Sequence, residues 1–390
     1  MRSVRKRVLV AHPFVAPNGG ASGVAAWTLM ALREQCDVTL ASLRPPGLAL
    51  INRMFGTSLR ESDFSLRLSP PRHLALIEAF PFRGALLEIS LTTRLARTID
   101  AARPFDVLIG TQDECDFGRR GIQYVHHPWM YLPRPAHEMR WFHSIPGVLS
   151  GYRRFCLNLA LGRVEGLRRN LTLANSRFVA ERIRQTHGID SIVVPPPVPG
   201  DFPPIPWSER TNGFVALGRM DGCKRWPMAV AILDEVRRRG HDVSLTLLGS
   251  RDQQGALEEI QALSATRPWF RIQCDRSRVE LTAEIARHRY GIHTMADEHF
   301  GIAPAELQRA GCLVFVHNSG GPVDIVGGDP RLLFDDVHQA AERIDRVLSS
   351  AALQSSLREH VARQRDRFST EQFCETMRRI VEEFDGASLR

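Results

Sequence analysis

The most informative chemistry in the sequence lies in one loop and the helix predicted to follow it. Glu298 follows the apolar run GIHTMA, and Glu306 lies in the next helical stretch, with seven residues between them. Backbone N–H groups at the start of that helix and in the turn formed by Gly320 and Gly321 would point to one spot beyond the strand ends and favour an anion. Carboxylates beside a phosphate are suited to accepting hydrogen bonds from sugar hydroxyls. The segment therefore indicates a site for a phosphorylated sugar. For either glutamate alone, an equal alternative is an acidic residue that serves only to stabilise the N-terminus of the helix through the helix dipole.

A basic loop in the same half adds positive charge. Lys224 is one of two lysines among 51 basic residues, so arginine is the usual base of this chain. A compact ammonium suits a single phosphate oxygen, and the Arg219 guanidinium could bind the same diphosphate through two parallel hydrogen bonds. A solvated basic loop is the alternative, but the position at the carboxyl end of a predicted strand favours a ligand site.

The first half offers two weaker candidates. Gly19 and Gly20 lie in a glycine-rich turn where a ligand can approach the backbone closely. The turn does not match a dinucleotide fingerprint, and Ser22 could equally cap the following helix. His126 and His127 end the run IQYVHH, and one of them could donate a hydrogen bond to a sugar, since adjacent strand residues point to opposite faces. Packing and metal ligation are the alternatives for the histidines, and no partner set at ligand spacing accompanies them.

These candidates lie where predicted strands end. Continuous apolar runs alternate with helical stretches, which is typical of strands buried on both faces of a parallel sheet. The alternation predicts an α/β fold with doubly wound parallel sheets, in which ligands bind beyond the carboxyl ends of the strands. Residues 44–100 and 128–170 fit the alternation poorly and are not assigned. The predicted strands are residues 7–13, 37–42, 106–111, 122–127, 171–176, 191–196, 213–218, 244–249, 271–274, 291–296 and 312–318, and the predicted helices are 23–34, 176–186, 225–239, 254–265 and 303–310.

A proline-rich connector separates two such α/β halves. Eight prolines and glycines lie between residues 195 and 206, and this stretch can continue neither a helix nor a central strand. The expected domains are residues 1–199 and 200–370, followed by a helix over residues 371–390.

Composition excludes several classes of protein. The mean hydropathy is −0.19, and no apolar run reaches the ~18 residues of a membrane-spanning helix. Seven scattered cysteines predict reduced thiols in a cytoplasmic protein. The net charge of +8 is unevenly divided, because residues 1–200 carry 26 basic and 15 acidic residues, whereas residues 201–390 carry 25 and 28. Without a concentrated basic run or a recognised module, nucleic-acid binding is disfavoured.

At these positions the chain resembles the retaining glycosyltransferases of family 4 (glycosyltransferase group 1), which have the GT-B fold of two Rossmann-like domains facing across a cleft. The resemblance rests on the glycine-rich first loop, the strand-end histidine, GRMDGCK and the two glutamates. It is most specific in GIHTMADEHFGIAPAE and HNSGGP, which are similar to mannosyltransferases that elongate lipid-linked oligosaccharides with GDP-mannose. It implies an acceptor-binding N-terminal domain, onto which residues 371–390 cross back, and a nucleotide-sugar-binding C-terminal domain.

The resemblance also implies a role for each candidate. His126 and Glu298 would be the catalytic residues beside the transferred sugar, and His126 matches the family pattern better than His127. The residues implied to bind the donor are Gly19, Gly20, Arg219, Lys224, Phe300, Gly301, Ile302, Glu306, Asn318, Ser319, Gly320 and Gly321.

The implied reaction moves a hexose, with mannose favoured, from a nucleotide-diphosphate sugar to a hydroxyl of a lipid-linked or other glycan acceptor, with retention of configuration. No Asp-x-Asp tripeptide occurs in the sequence. Neither a metal nor another cofactor is therefore expected, since Arg219, Lys224 and the helix dipole could neutralise the leaving group. A sugar phosphorylase, synthase or epimerase using the same phosphate site is the alternative.

Residues 151–170 combine aliphatic side chains at roughly helical spacing with five arginines. A basic amphipathic helix can lie on an anionic membrane surface, which would place the protein peripherally at the inner face of the cell membrane. A surface helix that packs on its own domain is the alternative, and it is favoured because the apolar stripe is imperfect.

Overall fold

The computed structural model describes residues 5–15, 19–79, 85–130, 145–250 and 256–385. These residues form two compact units. Unit 1 holds the described residues up to Pro197 together with those from Thr370 onward, and unit 2 is Val198–Ser369. No helix among the described residues is both long enough and apolar enough to cross a membrane.

Unit 1 contains a seven-stranded sheet in which every neighbouring pair of strands is parallel. The order β3-β2-β1-β4-β5-β6-β7 reverses direction between β1 and β4, as expected for a doubly wound sheet. Its elements are β1 (Arg7–Ala11), α1 (Gly20–Leu32), β2 (Asp37–Ser42), α2 (Leu48–Phe55), β3 (Ser65–Leu68), α3 (Pro71–Ala79), α4 (Ala85–Ala102), β4 (Val107–Gly110), β5 (Ile122–Val125), α5 (Val148–Leu159), α6 (Val164–Arg168), β6 (Leu171–Ala174), α7 (Arg177–His187) and β7 (Ile192–Val193), with α15 (Thr370–Glu383) from the end of the chain.

The strand β1 shows why its apolar run is continuous. Val8 and Val10 join the hydrophobic cluster formed with α1 and α15, while Leu9 joins a second cluster that includes Leu95 of α4. Successive side chains of a strand point to opposite faces, so both faces of this sheet are covered by helices. The alternation of buried residues on the two faces fixes the register of β1 and places its carboxyl end beside that of β4.

Unit 2 contains a six-stranded sheet, also parallel throughout, with the order β10-β9-β8-β11-β12-β13. The strand order reverses between β8 and β11, so the carboxyl ends of these two strands form the switch point at which ligands of such sheets bind. Its elements are β8 (Thr211–Leu217), α8 (Trp226–Arg238), β9 (Ser244–Gly249), α9 (Ala256–Ala265), β10 (Phe270–Cys274), α10 (Arg278–Ala286), β11 (His288–His293), α11 (Ile302–Arg309), β12 (Leu313–His317), α12 (Pro322–Ile325), β13 (Leu333–Phe334), α13 (Val337–Leu348) and α14 (Ala351–Gln364).

The predicted α/β class with doubly wound parallel sheets is confirmed, and all eleven predicted strands are present, two of them (β2 and β9) with the predicted bounds and nine with shifted ends. The sequence prediction missed β3 and β13. It also placed the start of β11 at Gly291, whereas the strand begins at His288. The His288 ring is buried because Glu284 and Thr246 satisfy its two nitrogens, so a polar residue occupies an interior strand position.

Candidate functional site

The switch point of unit 2 brings together three connecting segments. The β8 loop is residues 218–225, the β11 loop is residues 294–301, and the β12 turn is residues 318–321. The Thr294 hydroxyl donates to the Lys224 carbonyl at 2.7 Å, which joins the first two segments. The Asp297 amide donates to the Ser319 hydroxyl at 2.8 Å, and the Gly321 amide donates to the Glu298 carbonyl at 2.8 Å, which join the last two. The three segments therefore form one cluster at the carboxyl ends of β8, β11 and β12.

An ion pair lies at the centre of this cluster. Lys224 Nζ is 2.5 Å from Glu298 Oε2 and 3.3 Å from the Met295 sulfur. The two charged side chains are only 13% and 19% exposed, so their attraction is weakly screened. The two residues that the sequence predicted to serve one ligand are thus in direct contact.

The buried His293 ring lies beside the Glu298 carboxylate. Its Nε2 lies 3.5 Å from Glu298 Oε2, which makes this a long and weak polar contact. Burial lowers the pKa of His293, which keeps the ring neutral. Burial alone would raise the pKa of Glu298, but the nearby His293 ring and the Lys224 charge hold it well below its ordinary value. Glu298 is therefore an anion, which only accepts hydrogen bonds, across the physiological pH range.

Gly320 allows the β12 turn to pack against the β11 loop. Its φ is +77°, and a Cβ atom there would lie 2.4 Å from the Glu298 carbonyl oxygen and 2.8 Å from the Glu298 nitrogen. Both contacts are with backbone atoms, which cannot rotate away. A side chain at this position would therefore displace the backbone that carries Glu298.

Backbone amides of the β12 turn donate to carbonyls of the protein. The amide of Asn318 donates to Phe334, that of Ser319 donates to His317, and that of Gly321 donates to Glu298. The expectation that the Gly-Gly turn directs its N–H groups toward an anion is therefore wrong for Gly321, because a backbone carbonyl already accepts from its amide. The Ser319 hydroxyl accepts from Asp297 and also contacts the His317 ring at 2.9 Å, so its role here is to hold the loops together.

The start of α11 retains donors for an anion. Gly301 is its N-cap residue, Ile302 is its first residue, and no described side chain caps this helix end. None of the hydrogen bonds within the described residues uses the amide of Phe300 or Gly301. The Phe300 ring is buried and packs edge-on against Phe368 at 5.7 Å, which fixes the backbone at this point. Unpaired N–H groups and the helix dipole therefore favour a negative charge beside Glu298.

Glu306 lies on the buried face of α11. Its Oε1 accepts from Arg278 Nη1 of α10 at 2.5 Å, and the same guanidinium donates to the Pro199 carbonyl. Sequence reasoning missed Arg278. The pair holds the Glu306 carboxylate in a fixed orientation, and a carboxylate has further acceptor sites beyond the one that Arg278 occupies.

Two predicted donor residues of unit 2 lie at the surface. The Arg219 side chain is 71% exposed, and its Nη2 lies 3.0 Å from Asp221. Asn318 is also exposed. Asp221 is mostly buried, and its carboxylate also caps the short 3-10 turn by accepting from the Lys224 amide at 3.3 Å. Asp221 therefore contacts the Arg219 side chain and the Lys224 backbone within the β8 loop.

In unit 1, the helix α1 begins earlier than predicted. Gly19 is its N-cap residue with φ of +92°, Gly20 is its first residue, and Ser22 lies inside the helix. The expectation that Ser22 caps this helix is therefore wrong. Its hydroxyl instead contacts the Phe14 carbonyl at 3.4 Å. The preceding residues 16–18 of the glycine-rich turn lie outside the described residues.

A histidine network lies at the switch point of unit 1. His126 Nε2 contacts the Thr111 carbonyl at 3.1 Å, and the Thr111 hydroxyl contacts His12 Nδ1 at 2.9 Å. The amides of His126 and His127 both donate to one oxygen of Asp113, at 2.8 and 3.0 Å. Burial, followed by the nearby His126, lowers the pKa of His12 to about 3, so its ring is neutral. The structure thus places His126 over the end of β4.

Sequence reasoning missed both His12 and His293. Each directly follows or ends the apolar run of a central strand, in VLVAH and in YGIH. Their common position at the carboxyl end of a strand next to a switch point is the signal that could have identified them. Among the described residues, no group of three or more His, Cys, Asp or Glu side chains could hold a metal ion.

Comparison with known protein families gives a match in the second half of the chain. A sequence model of the family described as "Glycosyl transferases group 1" matches residues 200–364. Those residues form a group 1 glycosyltransferase domain. The domain includes the β8 loop, the β11 loop and the β12 turn, so the cluster around Lys224 and Glu298 lies within the residues that the family model matches.

The relatives of this glycosyltransferase domain include a set of mannosyltransferases. The chain is 28% identical over 204 residues to the mouse GDP-Man:Man(3)GlcNAc(2)-PP-Dol alpha-1,2-mannosyltransferase, covering 47% of this chain and 42% of that protein. The human protein of that name is 28% identical over 213 residues, covering 49% and 43%. The Xenopus laevis protein of that name is 37% identical over 100 residues, covering 24% and 21%. The chain thus spans less than half the length of these relatives.

Solved structures match nearly the whole chain. Anabaena HepE in complex with UDP and glucose has a TM-score of 0.65 at 14% identity, covering 97% of this chain and 100% of that chain. A glycosyltransferase from Rickettsia africae gives 0.65 at 14%, covering 97% and 98%. WaaG, a glycosyltransferase involved in lipopolysaccharide biosynthesis, gives 0.61 at 13%, covering 97% and 100%. The glycosyltransferase domain and unit 1 together therefore have the GT-B fold that the sequence resemblance implied.

Proposed function

We propose that this chain transfers a hexose, with mannose favoured, from a nucleotide-diphosphate sugar to a hydroxyl group of a lipid-linked or other glycan acceptor. The observation that carries the proposal is the contact between Lys224 and Glu298 at the switch point of unit 2, beside the uncapped start of α11. A cation and uncapped amides suit a diphosphate, whereas a fixed carboxylate suits sugar hydroxyls. The names of the mannosyltransferase relatives support mannose as the sugar and GDP-mannose as the donor.

Each side chain at the site would have a distinct task. Lys224 has three N–H donors, of which one binds Glu298 and one contacts the Met295 sulfur, so the third can bind a phosphate oxygen. Arg219, which is exposed, would turn its guanidinium from Asp221 to the same diphosphate. Glu298 would accept hydrogen bonds from the hydroxyls of the transferred sugar. Glu306, oriented by Arg278, would accept from the ribose hydroxyls.

The binding site is tested by calorimetric titration of GDP-mannose and of UDP-sugars into the protein. We expect Lys224→Ala to weaken donor binding about 10- to 100-fold, because it removes a charge-assisted hydrogen bond from a partly buried site. Glu306→Ala should weaken binding as well. Arg238→Ala is the matched control, since this 71% exposed cation lies at the end of α8. Wild-type affinity in both site variants would refute the assignment.

We further propose that transfer proceeds with retention and without a metal. Lys224, Arg219 and the dipole of α11 would stabilise the charge that develops on the leaving diphosphate. The acceptor hydroxyl would attack the sugar from the same face from which the leaving group departs. The transition state would be oxocarbenium-like, and His126 would lie near the sugar. Full activity in EDTA and an unchanged anomeric configuration in the product would support this mechanism. Activity that EDTA abolishes and Mg²⁺ restores would refute it, and sugar release that requires orthophosphate would indicate a phosphorylase instead.

Unit 1 is proposed to bind the acceptor at an anionic membrane surface on the cytoplasmic side. One face of α5 is packed, since Cys156 and Arg153 are buried. Its other face and the following turn expose Phe155 at 41% and Leu161 at 55%. Exposed apolar side chains among arginines fit the surface of an anionic bilayer. Flotation with anionic liposomes should be lost in high salt and weakened by Phe155→Ser with Leu161→Ser, and unchanged flotation of that variant would refute this placement.

A further inference from the structure

A second concave site lies at the amino ends of the strands of the unit 2 sheet. It is a cavity of about 470 Å³ between the segment before β8, the end of α11 and one face of α14. Arg210 immediately precedes β8, and Gly311 lies two residues before β12, so the cavity is at the amino ends of these strands. The donor site proposed above lies at their carboxyl ends. At about 3.3 Å per strand residue, the two sites are separated by roughly 20 Å.

The cavity carries an excess of positive charge. Its lining includes three arginines, Arg210, Arg358 and Arg365, and one carboxylate, Glu359. Within the described part of the chain, none of the three guanidinium groups forms an ion pair. Burial is the main cause that lowers the pKa of Arg210, and the charges of Arg365 and Arg358 lower it further. These three cations therefore repel one another when the cavity holds no anion.

Backbone hydrogen bonds hold the innermost cation in place. Arg210 donates to the carbonyls of Ile205 at 3.0 Å and Ala310 at 2.9 Å, with a longer contact of 3.4 Å to His288. A Cβ atom at Gly311 would lie 3.3 Å from Arg210 Nη2, so the glycine leaves room beside this guanidinium. Arg210 thus provides a fixed positive charge at the base of the cavity.

An aromatic ring and a helix complete the wall. Arg358 lies 5.0 Å above the Trp207 ring, and Trp207 packs edge-on against the buried Tyr290 at 5.8 Å. Arg358 and Ala362 are one helical turn apart, and Arg365 follows three residues later, so all three share one face of α14 and its end. The small Ala362 leaves space between the two longer cations. The guanidinium groups of Arg358 and Arg365 can therefore contact one ligand from the same side.

We propose that this cavity binds a phosphate group of a small phosphorylated compound or a phospholipid, at a site separate from the donor site. Planar guanidinium groups match the oxygens of a phosphate monoester or diphosphate through paired hydrogen bonds. One carboxylate against three arginines leaves a net positive charge in the cavity, which such an anion would neutralise. The volume is within the range of small-molecule sites, and the Trp207 ring offers an apolar surface to the part of the ligand that adjoins the phosphate.

The test uses the full chain and two free probes, inorganic pyrophosphate and glucose 6-phosphate, measured by calorimetry at low salt. Arg358→Ala with Arg365→Ala removes the two exposed cations of the cavity, so the fold should persist with a melting temperature no lower than that of the wild type. Arg363→Ala is the control, because it removes an exposed arginine of α14 that does not line the cavity. Lys224→Ala separates any binding at the donor site from binding here.

We expect the double variant to bind the probes at least about tenfold more weakly, while Arg363→Ala and Lys224→Ala retain this binding event. A parallel flotation assay uses vesicles that contain phosphatidic acid. If the double variant loses binding only to the free probes, the ligand is a soluble phosphate compound. If it loses binding only to the vesicles, the ligand is a phospholipid headgroup. Equal binding by wild type and double variant in both assays, or wild-type protein that binds neither probe nor vesicle, would overturn the proposal. The result is independent of whether the chain transfers sugars.

Discussion

The ion pair between Lys224 and Glu298 makes a quantitative prediction about the ligand-free protein. At their 2.5 Å separation, the attraction is about 4–7 kcal/mol at an effective dielectric constant of about 20. Desolvation of the two groups offsets much of this gain, so the net contribution is smaller. Removing one partner, however, leaves an unpaired charge in a site that is largely closed to water. Allowing for the 13–19% exposure, we expect Lys224→Met to reduce the free energy of unfolding of unit 2 by about 2–3 kcal/mol.

Calorimetric melting of four proteins tests this value: wild type, Lys224→Met, Glu298→Gln and the double variant. For a unit of this size the Lys224→Met change corresponds to a fall in melting temperature of about 4–10 °C. The double variant should be more stable than the two single effects predict, with a coupling of about 1–3 kcal/mol, because it leaves no charge unpaired. Single effects that add to within about 0.5 kcal/mol would refute the reasoning, since the two groups would then not interact.

The pH dependence gives a second check on the same pair. The pKa of Glu298 is depressed in the folded state, so its stabilising contribution is present above the ordinary glutamate pKa near 4.3 and is lost as pH falls toward the folded value. In Lys224→Met one of the depressing charges is absent, and protonation relieves the unpaired carboxylate. The difference in stability between wild type and Lys224→Met should therefore be largest above about pH 5 and shrink below it. A difference that stays constant down to pH 3 would contradict this assignment.

Three further variants test the surrounding structure. Gly320→Ala should lower the melting temperature and donor affinity far more than Gly328→Ala, since both glycines have positive φ but only Gly320 meets backbone atoms; equal effects would mean that backbone strain alone matters. His12→Gln should flatten the loss of stability between pH 6.5 and 3, because the folded pKa of about 3 makes the unfolded chain take up more protons in that interval; pH titration of the unfolding free energy measures this, and parallel curves would disprove it. Arg278→Ala should destabilise unit 2 by about 2–4 kcal/mol in urea titrations by leaving the Glu306 carboxylate unpaired, and Arg278→Ala with Glu306→Gln should recover part of the loss.

The central strands could be predicted because both of their faces are buried. Runs such as GFVALG and SLTLLG are largely apolar; the first overlaps β8 and the second is β9 itself. Strand β3 has no such signal, because it is a short edge strand whose residues SLRL are half-buried or exposed. Burial on one side only, over four residues, leaves neither a continuous run nor a clear alternation.

The candidate site was predictable in its parts and not in its pairings. The spacing in the sequence selects Lys224 and Glu298 as residues for one ligand, but it does not show that they contact each other in its absence. Arg278 lies 28 residues before Glu306 and on a different helix, so no local pattern connects them. His12 reads as the end of an apolar run, and only the strand order β1-β4-β5 places it beside Thr111. Contacts between distant segments depend on the order of strands in a sheet, which local periodicity does not specify.

The return of α15 to unit 1 affects how the chain folds during synthesis. Phe373, Met377 and Val381 of this helix belong to the same hydrophobic cluster as α1 and β1, and Arg378 donates to the Ala31 carbonyl. The ribosome makes these residues after all of unit 2. Unit 1 therefore begins first but cannot complete its core until α15 has left the ribosome, whereas unit 2 can fold while the α1 surface is still uncovered. A ribosome stalled just before α15 should hold a protease-resistant unit 2 beside a unit 1 that is still readily cleaved.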